Sequence, residues 1–242
     1  MSSTFDRFQE NLSSIKSPIE IIESNISSEF EYKMPIASAQ VKSSLILASL
    51  SSNNSITIIE PKITRDHTER MIEYFGGSVT HSNDESGRIT VDNSKLTSKN
   101  SYEIVGDFSS AAFVIVATLI SKESKVVIKN VGLNPSRSGL IEILVRMGAN
   151  IEIRNQKIIC NEESGDIFVK SSSLNGIDVP EDIIPNIIDE IPILSIAAAF
   201  AKGTTSIKNA SELRVKESDR LEAISDGLNK LNIRPVSYTH LR

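Results

Sequence analysis

The apolar positions of the chain fall into two periodicities that alternate along it. Leu140, Ile143, Leu144 and Met147 recur at the spacing that lines one face of an amphipathic helix, and Gly148 follows as a helix stop. Phe113 to Ile120 is apolar on almost every side, which predicts a helix buried all round. Between such segments lie short runs rich in β-branched residues, SITII, KVVIKN and TSIKN, which predict strands. IEIRNQKIIC, from Ile151 to Cys160, reads as a hairpin with Asn155-Gln156 at its turn and Cys160 as a small buried apolar residue.

These elements recur in a fixed order. Segments starting at Ala37, Ser109 and Ile191 each read as an apolar helix rich in small residues, a polar turn, a strand, a loop and an amphipathic helix. A turn and a further strand follow. The spacing, about 70–80 residues, suits a repeated βαβαββ module rather than a short solenoid unit. The fold class expected is α/β, with helices as the core of each unit and sheets as its cover. Val105-Gly106-Asp107 is the expected domain junction, so that 1–104 forms the C-terminal part of one domain and 105–233 part of a second. The first 17 residues or so read as the tail of a preceding unit. Ile233 should begin another strand, and 234–242 do not complete it, reading instead as sequence foreign to the module.

Composition narrows the function classes. An apolar fraction of 39% and a charged fraction of 24% suit a globular domain, and a net charge of -5 argues against a general nucleic-acid binder. A local cationic pocket is compatible with that balance. One cysteine and three histidines, widely scattered, offer no metal-ligand spacing. No apolar run approaches the roughly 18 residues of a membrane span, and MSSTFDRFQENL has no signal-peptide core, so a cytoplasmic location is expected.

The candidate chemistry lies in short polar stretches at helix mouths. In ELRVKESDR, Lys216 and Arg220 share a face if a helix opens between them, a mildly destabilising spacing for like charges. Either Glu217 and Asp219 simply solvate them, or an anion sits between the cations and the helix N-terminus. Ser38-Ala39-Gln40 opens the first apolar helix. The serine suits an N-cap, and the same geometry offers hydroxyl, amide and backbone donors to a phosphate, with Lys42 a further cation one turn in. In KITRDHTERM, Asp66 or Thr64 suits a cap and Glu69 the first turn. Arg65 lies in the preceding loop, where it can reach a ligand, whereas Arg70 and His67 read as helix surface. Asp189 and Glu190, at the entrance to an apolar helix, suit a cap or dipole partner, and equally a general base. Arg137, in GLNPSRSGL, occupies the place in its unit that ELRVKESDR occupies in the last, and reads as a structural repeat echo.

Taken in order, PIASAQVKS, TRDHTERM, GDFSSAAF, NPSRSGL, IDEIPILSIAAAFAKGTT and ELRVKESDR closely resemble the 5-enolpyruvylshikimate-3-phosphate synthase family, from about Ser17 to Asn232. The resemblance implies domains built as inside-out α/β barrels of βαβαββ modules, with two anionic substrates in a cleft between them. It implies transfer of the enolpyruvyl group of phosphoenolpyruvate to the 5-hydroxyl of shikimate 3-phosphate, with release of phosphate and no metal or organic cofactor. By the same resemblance, Ser38, Ala39, Gln40 and Arg65 bind shikimate 3-phosphate, and Gln40 also lies near phosphoenolpyruvate. Asp189 takes the hydroxyl proton, Lys216 contacts that hydroxyl and the developing charge, Glu217 shuttles protons and Arg220 holds the phosphoenolpyruvate carboxylate. A monomer is the expected full-length state, with neither nucleic acid nor membrane as partner.

The chain also departs from the family pattern. It has no Gly-Ser-Lys-Ser type segment, Asn-Ser-Gly-Thr type loop or Arg-Pro segment of the kind that supplies the family with further cations, and no late arginine and lysine. It is therefore expected to be a fragment that does not turn over by itself. Two other readings stand beside this one: the sister enolpyruvyl transferase acting on UDP-N-acetylglucosamine, and a non-catalytic remnant that binds a shikimate phosphate.

Overall fold

The computed structural model describes residues 29–52, 54–82, 87–92, 94–99, 101–214, 218–233 and 235. Its first unit runs β1 (Glu29–Lys33), α1 (Ala39–Ser52), β2 (Ser55–Ile59), α2 (His67–Tyr74), β3 (Val79–His81) and β4 (Arg88–Val91). This is the βαβαββ order that the repeat predicts. Strands β1 and β2 pair in parallel across α1, and the sheet order is β1-β2-β4-β3 with the other pairs antiparallel. The register sets Ile56 opposite Val91 and Ile58 opposite Ile89. The two-residue repeat of a strand then puts all four on one face, where they form a buried cluster with Tyr32, Met34, Ile46 and Ile72. On the other face the hydroxyls of Thr57 and Thr90 lie 3.0 Å apart.

The second unit has α3 (Phe108–Ile120), β5 (Lys125–Gly132), α4 (Gly139–Arg146), β6 (Asn150–Ile159) and β7 (Glu162–Lys170), with sheet order β5-β7-β6. Its leading strand has contracted to one parallel bridge between Gly106 and Val131. In the third unit the single-turn α5 (Ile184–Ile187) precedes α6 (Ile191–Ala199) and α7 (Arg220–Lys230). Here the expected strand TSIKN is not formed. Only parallel bridges Asn175–Lys202 and Asp178–Ser206 remain. Pro180 has no N–H to extend the ladder, and Asn209 turns left-handed at φ 56°.

The repeat is clearest where each amphipathic helix ends. The N–H of Gly77 returns to the carbonyl of Ile72 and that of Gly76 to Glu73. Ala149 and Gly148 do the same to Leu144 and Val145, and Ile233 and Asn232 to Leu228 and Asn229. Each closure needs one left-handed residue, supplied by Gly76, Gly148 and Asn232 at φ 84°, 97° and 59°.

Two local expectations are corrected. The run from Ile151 is not a hairpin: Asn155, at φ 51°, sits in a bulge where the β6–β7 register shifts between Arg154 and Lys157. The turn lies at Cys160-Asn161, both left-handed, so Cys160 is a half-buried turn residue rather than a strand-core one. The fork arises because asparagine tolerates positive φ in a bulge and in a turn alike. Nor is the apolar helix α3 buried all round. Ile115, Val116 and Leu119 are buried, whereas Phe113 and Val114 are 59% and 45% exposed. Only the face turned to β5, β7 and α6 is packed.

The larger cluster joins α3, α4, α6 and β7, and in it Leu140, Ile143, Leu144 and Met147 are wholly inaccessible, as the helical spacing predicts. Leu144 also supplies a carbonyl to the closure of α4. Leu144→Ala leaves a cavity in close-packed surroundings and should cost about 2–5 kcal/mol, read as a lower urea midpoint with circular dichroism unchanged below the transition.

Candidate active site

Asp189 stands just before α6, whose first turn contains Pro192. A proline there removes an N–H that has no intrahelical partner, so the turn needs no side-chain cap from its acidic neighbours. Glu190 occupies the cap position but makes no capping hydrogen bond, which overturns the cap reading for that residue. The Asp189 carboxylate instead meets three guanidinium groups. Arg65 Nη2 is 3.1 Å and Arg137 Nη1 3.0 Å from Oδ2, and Arg220 Nη1 is 3.1 Å from Oδ1.

Each arginine comes from the N-terminal end of the amphipathic helix in a different unit. Arg65 and Arg137 sit in the loops two residues before α2 and α4, and Arg220 is the first residue of α7. Arg137, read from sequence as a structural echo, is therefore part of the cluster. Its position in the repeat was the signal that could have revealed this. It also donates through Nη2 to the Ser109 hydroxyl, with Asp107 Oδ1 at 3.7 Å and Glu190 Oε1 at 3.9 Å. The Ser109 hydroxyl donates in turn to Glu190 Oε1 at 2.5 Å. Burial pushes the Glu190 carboxyl up, against the opposing effects of that hydrogen bond and of Arg137.

The first unit reaches the cluster through a buried charge group. Lys42 is not an open cation one turn into α1, as its spacing suggests. It is 1% exposed, and its Nζ lies 3.1 Å from Glu60 and 2.7 Å from Glu69, so its charge is enclosed by two carboxylates. Nζ also donates to the carbonyl of Thr64, the residue before Arg65, and the Thr64 hydroxyl donates to Glu60. Ser38 caps α1, accepting weakly from the Val41 N–H at 3.4 Å. Ser38, Ala39 and Gln40 thus stand at the mouth of the helix that Lys42 anchors beside the Arg65 loop. Among the described residues none of the three makes a hydrogen bond to the Asp189 cluster.

A second contact joins α2 to the middle unit. Asp66 Oδ1 accepts from Asn134 at 2.6 Å, His67 Nδ1 is 2.7 Å from Glu162, and Arg70 donates to the Asn161 carbonyl at 3.1 Å and to Asp66 at 2.7 Å. Burial works to raise the Asp66 carboxyl, but Asn134 and Arg70 outweigh it and hold it below the usual range. His67 is exposed on the helix, as the sequence reading has it, and Arg70 is half-buried; both are partnered across units. Asp66 precedes α2 without capping it, because its oxygens are engaged in these bonds.

Lys216 and Glu217 lie outside the described residues. The helix next to them begins only at Arg220, with Asp219 in extended conformation accepting from the Glu222 N–H at 3.0 Å. The expectation that Lys216 and Arg220 share a helical face rests on Lys216 and so falls outside the described residues. A cavity of about 330 Å³ lies beside α2, lined by Asp66, Glu69, Arg70 and Asn161 among others, and includes none of the Asp189 cluster. No cluster of three His, Cys, Asp or Glu side chains suited to a metal ion occurs among the described residues, and no described helix is long and apolar enough to cross a membrane. Arg65 and Arg220 are 34% and 27% exposed at the side chain, open enough to receive an anion.

Known proteins resemble this chain over most of its length. A family model described as EPSP synthase (3-phosphoshikimate 1-carboxyvinyltransferase) matches residues 9–236. The chain is 49% identical over 216 residues to the 3-phosphoshikimate 1-carboxyvinyltransferase of Petrotoga mobilis, covering 89% of this chain and 50% of the relative. It is 48% identical over 208 residues to that of Rhizobium johnstonii, covering 85% and 46%. Among solved structures, EPSP synthase from Acinetobacter baumannii superposes with a TM-score of 0.75 at 45% identity, over 82% of this chain and 44% of that one. The enolpyruvyl transferase NikO from Streptomyces tendae is similar in fold, with a TM-score of 0.53 at 13% identity, over 73% of this chain and 43% of that one. The chain spans about half the length of the curated relatives it matches.

Two charge groups generate tests. Lys42→Met leaves Glu60 and Glu69 buried without their cation and should cost about 3–5 kcal/mol, seen as a large fall in the thermal midpoint. For Glu190 the sign follows from its raised carboxyl. The native state holds its proton more tightly than the unfolded chain, so stability falls as pH rises from the ordinary glutamate range through the raised one. Glu190→Gln removes that component, so the variant's urea midpoint should gain on the wild type over this window. A constant difference across pH 4–8 would contradict it.

Proposed function

Since the chain belongs to the EPSP synthase family, we propose that the Asp189 cluster serves enolpyruvyl transfer from phosphoenolpyruvate to the 5-hydroxyl of shikimate 3-phosphate. The observation that carries this reading is one carboxylate shared by three arginines, two of them partly open. Two substrates that are both anions repel each other. Bringing them together requires cations on either side of the acid–base group, which also stabilise charge that develops in the transition state.

In this reading Arg65, with the donors at Ser38, Ala39 and Gln40, takes the phosphorylated sugar acid. Arg220 takes the phosphoenolpyruvate carboxylate. Asp189 accepts the proton of the 5-hydroxyl as its oxygen bonds to C2 of phosphoenolpyruvate, and Lys216 stabilises the charge that develops there. A proton reaches C3 as the carbon–carbon double bond is lost. Loss of phosphate from C2 and of a proton from C3 then restores the enol ether, with Glu217 moving protons. No metal or organic cofactor enters any step. The three units belong to two inside-out barrels, the first unit to one and the other two to the second, that divide near residue 105; 234–242 do not belong to the module, and the protein works in the cytoplasm, as a monomer at full length.

The chain itself carries only part of the expected cation set, so it should bind without turnover. Calorimetric titration should give saturable binding of shikimate 3-phosphate and none of UDP-N-acetylglucosamine. Arg65→Gln should weaken binding about 10–100-fold, the value of one charge-assisted contact. Binding of the uridine nucleotide alone would transfer the reading to the sister reaction. Phosphate release that requires both substrates would overturn the non-catalytic part of the reading and leave the site intact.

A further inference from the structure

The three arginines on Asp189 are not equivalent. Arg137 has a side chain 15% exposed, against 34% for Arg65 and 27% for Arg220. Its second nitrogen is held by the Ser109 hydroxyl, which is tied to the 2%-exposed Glu190. Arg65 approaches from another unit at the end of a loop, and Arg220 from the half-buried start of α7. A phosphate or carboxylate entering the cluster meets the two open guanidiniums first. It competes for them with Asp189 on favourable terms, because a guanidinium fork matches such anions with two parallel bonds. Arg137 is the arginine that such a ligand reaches least.

We propose that Asp189 serves Arg65 and Arg220 as an exchangeable counter-anion. An incoming phosphate or carboxylate takes both arginines over, and Arg137, fixed by Ser109 and Glu190, remains as the partner that keeps the Asp189 carboxylate ionised and oriented. Arg137 is thus a positioning residue, acting through Asp189 rather than on a ligand. This inference rests on the proposed anion site and adds an order of events to it. Among the described residues, the charged groups shown facing Asp189 are Arg65 from the loop before α2, Arg137 from the loop before α4 and Arg220 from α7, with Glu190 and Asp107 behind Arg137. Lys216 and Glu217 lie outside the described residues.

The exchange has a signature that simple support lacks. With Arg65 and Arg220 in place, losing Arg137 costs Asp189 one of several favourable charges. Once an anion has drawn those two away, the same loss leaves the carboxylate exposed to its new negative neighbour. The full 242-residue chain is labelled with carboxyl-¹³C aspartate, Asp189→Asn identifies the resonance, and the titration midpoint is read with and without saturating inorganic phosphate. The phosphate-induced rise in Arg137→Gln should exceed that of the wild type by about 1–3 pH units, the usual influence of one adjacent opposite charge. Arg137→Lys should restore most of it, Ser109→Ala should fall between, and Arg65→Gln should show no excess rise.

An Arg137→Gln rise no larger than the wild type's, or an equal excess in Arg65→Gln, overturns the exchange while leaving the anion site standing. If phosphate perturbs no resonance of the wild type, the anion site fails and the exchange fails with it. Should Arg137→Gln not fold, Ser109→Ala carries the same comparison against the wild type, because a merely structural loss does not depend on phosphate.

Discussion

The constraint on which the structure turns is that one carboxylate, Asp189, holds three guanidiniums contributed by three units of a repeat. Cations a few ångströms apart repel, and the repulsion grows as water is excluded. Three such groups converge only around a shared anion. Because the arginines leave their units at matching points, the acid also ties together segments more than 150 residues apart in the chain. Packing within each unit brings the helix mouths near one another, and Asp189 makes their like charges compatible.

A second charge group shows the opposite balance and clarifies the first. Around Lys42 a single cation is enclosed by Glu60 and Glu69, all three nearly inaccessible. That group is sealed, and no ligand can exchange with any member without unpacking α1 and α2. At Asp189 the cations outnumber the acid and the side chains stand about a quarter to a third open, apart from Arg137. Burial, more than charge, separates a structural ion group from one able to trade partners with a ligand.

Much of this was legible in the sequence. The βαβαββ order, the buried face of α4 and the glycine that ends it all follow from spacing that backbone geometry imposes. Arg65, Asp189 and Arg220 were candidates because each is a charge at a helix mouth. What escaped depends on partners distant in sequence. Lys42 looked open because nothing local shows Glu60 and Glu69 folding over it, and the partner of the exposed His67 was hidden because Glu162 lies 95 residues away. Asn155 and Asn161 both take positive φ, so local sequence could not say which forms the turn and which the bulge. Arg137 was visible as a repeat position, but its use became apparent only when the loops converged.

The contacts between units divide the work in a way that makes ligand exchange tolerable. If Arg65 were the first unit's only hold on the second and third, an anion that drew it from Asp189 would release the unit it belongs to. The start of α2 prevents this. Asp66 to Asn134, His67 to Glu162 and Arg70 to the Asn161 carbonyl form a separate set of bonds that involves neither Asp189 nor its arginines. Asp66 lies next to Arg65 in the chain, so the guanidinium swings from a backbone that stays fixed at its neighbour. Fixing the backbone on one side and leaving the side chain half open on the other lets one residue change its anion while the site around it keeps its shape.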